Sequence, residues 1–271
     1  MVTLLCPVRG CGEPLVRQER AFSCPRGHSF DIARSGYCNL LQPQDRRSKE
    51  PGDPKEAVLA RRRFLDAGHG DLLLSALREA VLAVPAVPAV LAVLDLGCGE
   101  GFYLGKLAAE RPMEAHGLDI STAAVALAAR RYPEVRWLVV NADRTLPYPD
   151  SSFDLVLSLT ARRNAPEARR VLRPGGRLIV AVPGEDDLIE AREAVLGEGI
   201  LRSRVESVRA DFAAAFELVS HRALRRRERL EPGEIRDALA ATYRGARESE
   251  RRRLDGLGPM EVTLSYDLLV F

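Results

Sequence analysis

An apolar run that ends in glycines, VLAVLDLGCGEGFY (90–103), constrains this chain more than any other feature. Val90 to Leu94 reads as a strand buried on both faces, which a parallel sheet covered by helices provides. Gly97, Gly99 and Gly101 free the backbone for a tight turn, and GEGFYLGKLAAERP continues as a helix. The alternation then repeats. HGLDI, VRWLVVNAD, SFDLVLSLT and RLIVAVPG read as strands, with STAAVALAARRYP and PEARRVLRPGG as helices between them. Ser121 is the expected N-cap of the first of these helices. Strands alternating with helices specify an α/β fold, a doubly wound Rossmann-like sheet. FELVSHRALRRRERL and VTLSYDLLVF add two strand candidates near the end, and no internal repeat is present.

Ahead of the sheet, QPQDRRSKEPGDPK (42–55) is polar and rich in proline, and reads as a connector. EAVLARRRFLDAG (56–68) and DLLLSALREAVLAV are amphipathic helices, the second ended by the VPAVP segment with Pro85 and Pro88. Those prolines also break the longest apolar run, AVLAVPAVPAVLAVL, which is too short to cross a bilayer. With no secretory signal at residues 1–5, a soluble cytoplasmic protein with no membrane partner is expected.

In that compartment clustered cysteines favour metal over disulfides. Four residues separate Cys6 from Cys11, three separate Cys24 from His28, and twelve lie between the pairs. Two short-spaced pairs of this kind suit one tetrahedral zinc, with Pro7, Gly10, Gly12, Pro25 and Gly27 shaping the turns. Four protein ligands leave no open position, so the zinc is expected to be structural and to supply most of the unit's folding free energy. Unrelated free cysteines are the competing reading. Cys38 and Cys98 stand outside the pattern and are expected to pack, Cys98 as a small filler within the glycine loop.

A dinucleotide site would carry G-x-G-x-x-G, whereas Gly97, Gly99 and Gly101 follow G-x-G-x-G. With Asp95 before it, this loop resembles the first motif of the class I S-adenosylmethionine-dependent methyltransferases, in which it cradles the amino-acid part of the cofactor. Asp119, followed by Ile120, ends the second strand, where a carboxylate can accept ribose hydroxyl protons. By the same resemblance Asp143, placed at the end of the third strand, or its neighbours meet the adenine amino group, and VLRPGGRLIVAVPG is the turn into the fifth strand. A Rossmann-like domain for another nucleotide is the competing reading.

The whole chain resembles the bacterial 23S rRNA (guanine-N(1))-methyltransferases. The likeness rests on Cys6 to Leu41, on RRSKEPGDPKE and ARRRFLDAGH (46–69), and on LDLGCGEGFY. It implies a zinc-binding module over 1–38, a connector and helix over 39–69, and a methyltransferase domain over 70–271. It implies the zinc ligands Cys6, Cys11, Cys24 and His28, the first pair widened by two residues, and cofactor contacts at Tyr103, Leu104 and Asp119. It also implies a 23S rRNA hairpin as partner and a homodimer forming an RNA cleft. Residues 1–69 hold twelve Lys/Arg against eight Asp/Glu, and phosphate contacts are expected from Arg17, Arg20, Arg26, Arg46, Arg47 and Arg61–Arg63. A solvated helix face is the other reading of Arg61–Arg63.

Several positions depart from the family pattern. Gly70 replaces an aromatic after His69, Thr160, Ala161 and Arg162 replace an aromatic-Ala-Pro stretch beside the target base, and Asp187 replaces a cofactor-contacting histidine. Asp187 and Thr160 are the candidates near the reacting nitrogen, with no catalytic base fixed. The departures leave two alternatives open, a methyltransferase for a small molecule or other nucleotide and a non-catalytic RNA- or protein-docking scaffold.

Overall fold

The computed structural model describes residues 1–46, 48–49, 51–83, 90–197, 199–242 and 253–271. Arg47 and the VPAVP segment around Pro85 and Pro88 lie outside them. The N-terminal unit is an antiparallel meander of β1 (Leu4–Leu5), β2 (Pro14–Arg17), β3 (Ala21–Ser23) and β4 (Ser29–Asp31). After β5 (Cys38–Asn39) come α1 (Lys55–Phe64) and α2 (Asp71–Leu82). The alternating region follows as β6 (Leu91–Leu96), α3 (Phe102–Glu110), β7 (Met113–Asp119), α4 (Thr122–Arg131), β8 (Arg136–Val139), β9 (Phe153–Leu159), α5 (Ala165–Val171) and β10 (Leu172–Pro183). The chain continues through α6 (Ile189–Leu196), α7 (Val205–Phe212), β11 (Ser220–Leu230), α8 (Pro232–Thr242) and β12 (Met260–Val270).

The large sheet has the order β11-β12-β10-β9-β6-β7-β8-β5, parallel from β10 to β5, with β12 antiparallel to both its neighbours. All six residues of β6 are buried, which is why its sequence is apolar without alternation. Its side chains divide between the faces: Ala92, Leu94 and Leu96 join one cluster, and Leu91 and Val93 join another with Leu73, Leu77, Leu104 and Val125 from α2, α3 and α4. Successive strands run from β6 outward to β7 and β8, then return to β9 and β10 on its other side. That reversal opens a crevice at the carboxyl ends of β6 and β9. The Ser121 cap is as expected, its hydroxyl accepting from Ala124 N at 3.4 Å.

Four features differ from the expectation. The boundary at 38/39 falls inside β5, whose Cys38 and Asn39 pair in parallel with Leu138 and Val139, so this strand is the edge of the large sheet. The opening unit has no core of its own. Val2, Leu4, Leu15 and Phe22 share one apolar cluster with Leu94, Leu138 and Tyr148, and Leu5 N donates to Pro147 O at 2.9 Å. β8 stops at Val139, and Asp143 lies beyond it in a turn tied by Asp143 N to Asn141 Oδ1 at 3.0 Å. Finally, α6, α7 and α8 form in segments to which the sequence reading assigns no helix.

Candidate functional site: a thiolate cluster and a glycine-loop cavity

Two hairpin turns build the metal cluster. Cys6 N donates to Glu13 O at 2.8 Å and Cys11 N to Val8 O at 2.9 Å, while Cys24 N donates to His28 O and Gly27 N to Cys24 O, both at 3.0 Å. The ligand atoms of Cys6, Cys11, Cys24 and His28 lie within 4.8 Å of one another. His28 Nδ1 stands 3.4 Å from Cys6 Sγ and 3.3 Å from Cys24 Sγ, and Cys11 Sγ stands 3.8 Å from Cys24 Sγ. Ligands at the usual bond lengths around a tetrahedral zinc are roughly 3.4–3.8 Å apart. The donor set and spacing therefore fit zinc with no open position, and the longer first turn is absorbed by Gly10 and Gly12 in left-handed conformation. Cys38 is buried, and its thiol meets Phe30 O rather than the cluster.

A cavity of about 790 Å³ opens at the carboxyl end of the sheet. Gly97, Gly99, Asp119, Ile120, Asp143, Thr160 and Asp187 all line it, gathered from the ends of five strands. Gly97 has φ +76°, and a Cβ there would lie 2.5 Å from the Cβ of Ala161, so the loop passes where no side chain fits. Asp119 accepts from Gly99 N at 2.9 Å through one oxygen and from Ser121 N at 2.8 Å through the other. These bonds fix the carboxylate and leave a lone pair on each oxygen for a diol. Burial raises its pKa, and the two backbone donors oppose that.

Other expected residues lie elsewhere. Tyr103 and Leu104 are buried in the core and do not line the cavity, because the first turn of α3 faces the sheet. Gly101 packs beneath, where a Cβ would meet Trp137 at 2.5 Å. Asp95 is 2 % exposed below the loop, its pKa pushed up to about 7 by burial and by Asp119. Thr160 has φ +55° and donates its N–H to Ala181 O at 2.7 Å, while Arg162 is exposed and pairs with Asp143 at 3.7 Å. No aromatic stands at 160–162, yet Phe64 and Tyr266 line the cavity. Tyr266 gave no sequence signal, whereas Phe64 lies within ARRRFLDAGH.

Asp187 faces the cavity with one oxygen held by Ser265 N at 2.9 Å, and burial raises its pKa to about 7. The connector also contributes a wall. Ser48, Pro51, Gly52 and Asp53 line the cavity, Ser121 Oγ donates to Asp53 O at 2.9 Å, and Asn141 Nδ2 donates to Asp45 O at 2.9 Å. Of the arginines expected to meet RNA, Arg17, Arg20, Arg26 and Arg46 are exposed. Arg62 pairs with Asp66 at 3.6 Å and Arg63 bonds Asp237 at 2.8 Å, while Arg61 is turned into the cavity.

Buried polar atoms without hydrogen-bond partners include Arg61 Nε, Glu100 Oε2 and Asp95 Oδ1, grouped around the glycine loop. Orphans of both signs at one place fit a ligand end carrying both a cation and an anion. Comparison with known proteins agrees in both halves. A family model for the RlmA N-terminal zinc ribbon matches residues 4–49 and one for a methyltransferase domain matches residues 93–176. The chain is 35% identical over 275 residues to a 23S rRNA (guanine(748)-N(1))-methyltransferase of Streptomyces fradiae, covering 98% of this chain and 95% of that one. It is 38% identical over 216 residues to a putative 23S rRNA (guanine-N(1)-)-methyltransferase of Micromonospora griseorubida, covering 73% and 70%. A putative methyltransferase structure from Bacillus halodurans superposes with a TM-score of 0.51 at 14% identity, covering 71% of this chain and 96% of that one, which is a likeness of fold. With zinc ligands, glycine-loop cavity and connector all inside the matched length, the chain belongs to the 23S rRNA (guanine-N(1))-methyltransferase family.

Proposed function

We propose that this enzyme transfers a methyl group from S-adenosylmethionine to the ring N1 of a guanine in a 23S rRNA hairpin. The observation that carries the reading is the 35% identity along 98% of the chain to the Streptomyces fradiae enzyme. The cavity supports it, with the glycine loop at one end, a diol-ready carboxylate at Asp119 in the middle, and Asn141 and Asp143 beyond. Bound there, the cofactor supplies a methyl already activated by its sulfonium. The protein's work is then to orient the acceptor and exclude water. Guanine N1 carries a proton that must leave as the new bond forms, and the Asp187 carboxylate is the acceptor in this reading. Phe64 and Tyr266 offer ring faces for a base drawn out of its stack.

The zinc unit, residues 1–37 ahead of β5, presents Arg17, Arg20 and Arg26 as exposed phosphate contacts, with Arg46 in the connector. The remainder, from β5 onward, forms the methyltransferase unit. A cytoplasmic enzyme acting as a homodimer around one RNA cleft completes the reading, and sedimentation of the zinc-loaded protein measures its oligomeric state. Among the described residues no helix is long and apolar enough to cross a membrane. The decisive experiment is transfer of labelled methyl to unmodified 23S rRNA, with the product nucleotide mapped. One methyl on a guanine N1 in a hairpin is expected. Cofactor binding without incorporation, or methylation at another atom, refutes the assignment.

A further inference from the structure

Arg61 lies on α1 beside two arginines that pair at the surface, but its own guanidinium sits over the glycine loop. A Cβ on Gly99 would stand 4.0 Å from Arg61 Nε. The same nitrogen is 3.4 Å from Glu100 Oε2, and Nη1 reaches Thr160 Oγ1 only at 3.4 Å. Glu100 is 4 % exposed, and neither Arg61 Nε nor Glu100 Oε2 has a hydrogen-bond partner. An ion pair built for stability alone would close its hydrogen bonds, because a buried donor left open forfeits its hydration without recompense. Here a planar fork of donors is held at a cavity wall with its strongest partner poorly placed. The cavity lining carries charges of both signs, and of its arginines Arg61 is set against the glycine loop, beside Gly99 and Glu100.

A planar cation in this position matches a carboxylate in shape and charge. We propose that Arg61 binds the α-carboxylate at the methionine end of the cofactor, and that Glu100 positions its guanidinium and faces the neighbouring ammonium. The inference rests on the cofactor assignment above. It removes Arg61 from the RNA-gripping set, and it gives the ARR segment a chemical task that helix periodicity does not reveal.

The test compares S-adenosylmethionine with decarboxylated S-adenosylmethionine, which lacks only the carboxylate, by calorimetric titration of zinc-loaded protein. Wild type is expected to prefer the carboxylate form by roughly 10–100-fold. In Arg61→Met the preference should collapse to about threefold or less through loss of affinity for S-adenosylmethionine alone. Retained affinity for the decarboxylated compound, with one zinc per chain, shows that the variant is folded. Arg61→Lys, which keeps charge but not the fork, should recover part of the preference. A preference unchanged in Arg61→Met, or an equal loss for both compounds, overturns the proposal. A wild-type protein that binds neither compound overturns the cofactor assignment and this inference with it.

Discussion

Asp187 is the residue whose chemistry depends most on its surroundings. Burial lifts its pKa to about 7, so its carboxyl holds a proton below neutrality and can accept one only above it. Methyl transfer to guanine should therefore rise with pH through about 7, and Asp187→Asn should lower kcat and flatten that limb. A pH profile still rising at 7 in the variant removes Asp187 from the role. Asp95, whose pKa is also raised, carries a stability consequence. Its folded pKa of about 7 exceeds the ordinary 3.8 of an aspartate, so the folded chain binds more protons between those values and stability falls as pH rises across the window. Asp95→Asn should reduce that slope in thermal melts of the cofactor-free, zinc-loaded protein between pH 5 and 7. Gly70 is closely packed by its neighbours. A Cβ there would meet Phe102 at 2.8 Å and Leu65 at 2.9 Å. Gly70→Tyr is expected to cost about 1–3 kcal/mol by overpacking, read as a lowered Tm.

Among the elements, the connector acquires a function that its composition hides. Polar residues and prolines announce a linker, but this segment walls the cavity and is fastened to the N-terminus of α4. Gly52 has φ +91°, and a Cβ there would lie 2.8 Å from backbone atoms of Ser121. Gly52→Val should free the connector from α4, weakening cofactor affinity while zinc content stays at one per chain. Unchanged affinity would show that this wall is dispensable. The helix after the connector makes a similar point. Its three arginines are equivalent in sequence, yet Arg62 and Arg63 form surface pairs while Arg61 enters the site. Helical phase alone cannot rank them, because Arg61 and Arg63 meet partners on the β6–α3 loop and on α8, far along the chain, while Arg62 pairs locally with Asp66.

At the scale of the molecule, zinc and cofactor sites share one folded body. The thiolate turns rest on a cluster that includes Leu94 and Leu138 of the large sheet, and β5 continues that sheet at its edge. The zinc unit is therefore anchored to the catalytic body, and metal loss should be felt beyond it. Cys24→Ser is expected to release zinc and expose amides of residues 1–37 to rapid hydrogen exchange, with raised exchange also at Leu138 and Val139 opposite β5. Full zinc content in that variant would refute the ligand set. Exchange confined to residues 1–37 would show that β5 holds independently of the metal.

The alternation of strand and helix, the glycine loop, the carboxylate at Asp119 and the grouping of Cys6, Cys11, Cys24 and His28 were legible in the amino-acid order alone. Each is local: a buried parallel strand must be apolar throughout, a tight loop must be glycine, and two short-spaced pairs suffice to surround a small ion. Long-range packing was needed to show that Tyr103 and Leu104 lie in the core, that β5 pairs into the large sheet, and that Arg61 and Tyr266 line the cavity. Those outcomes depend on which distant surfaces meet, and side-chain direction relative to a remote partner leaves no period or spacing in the chain.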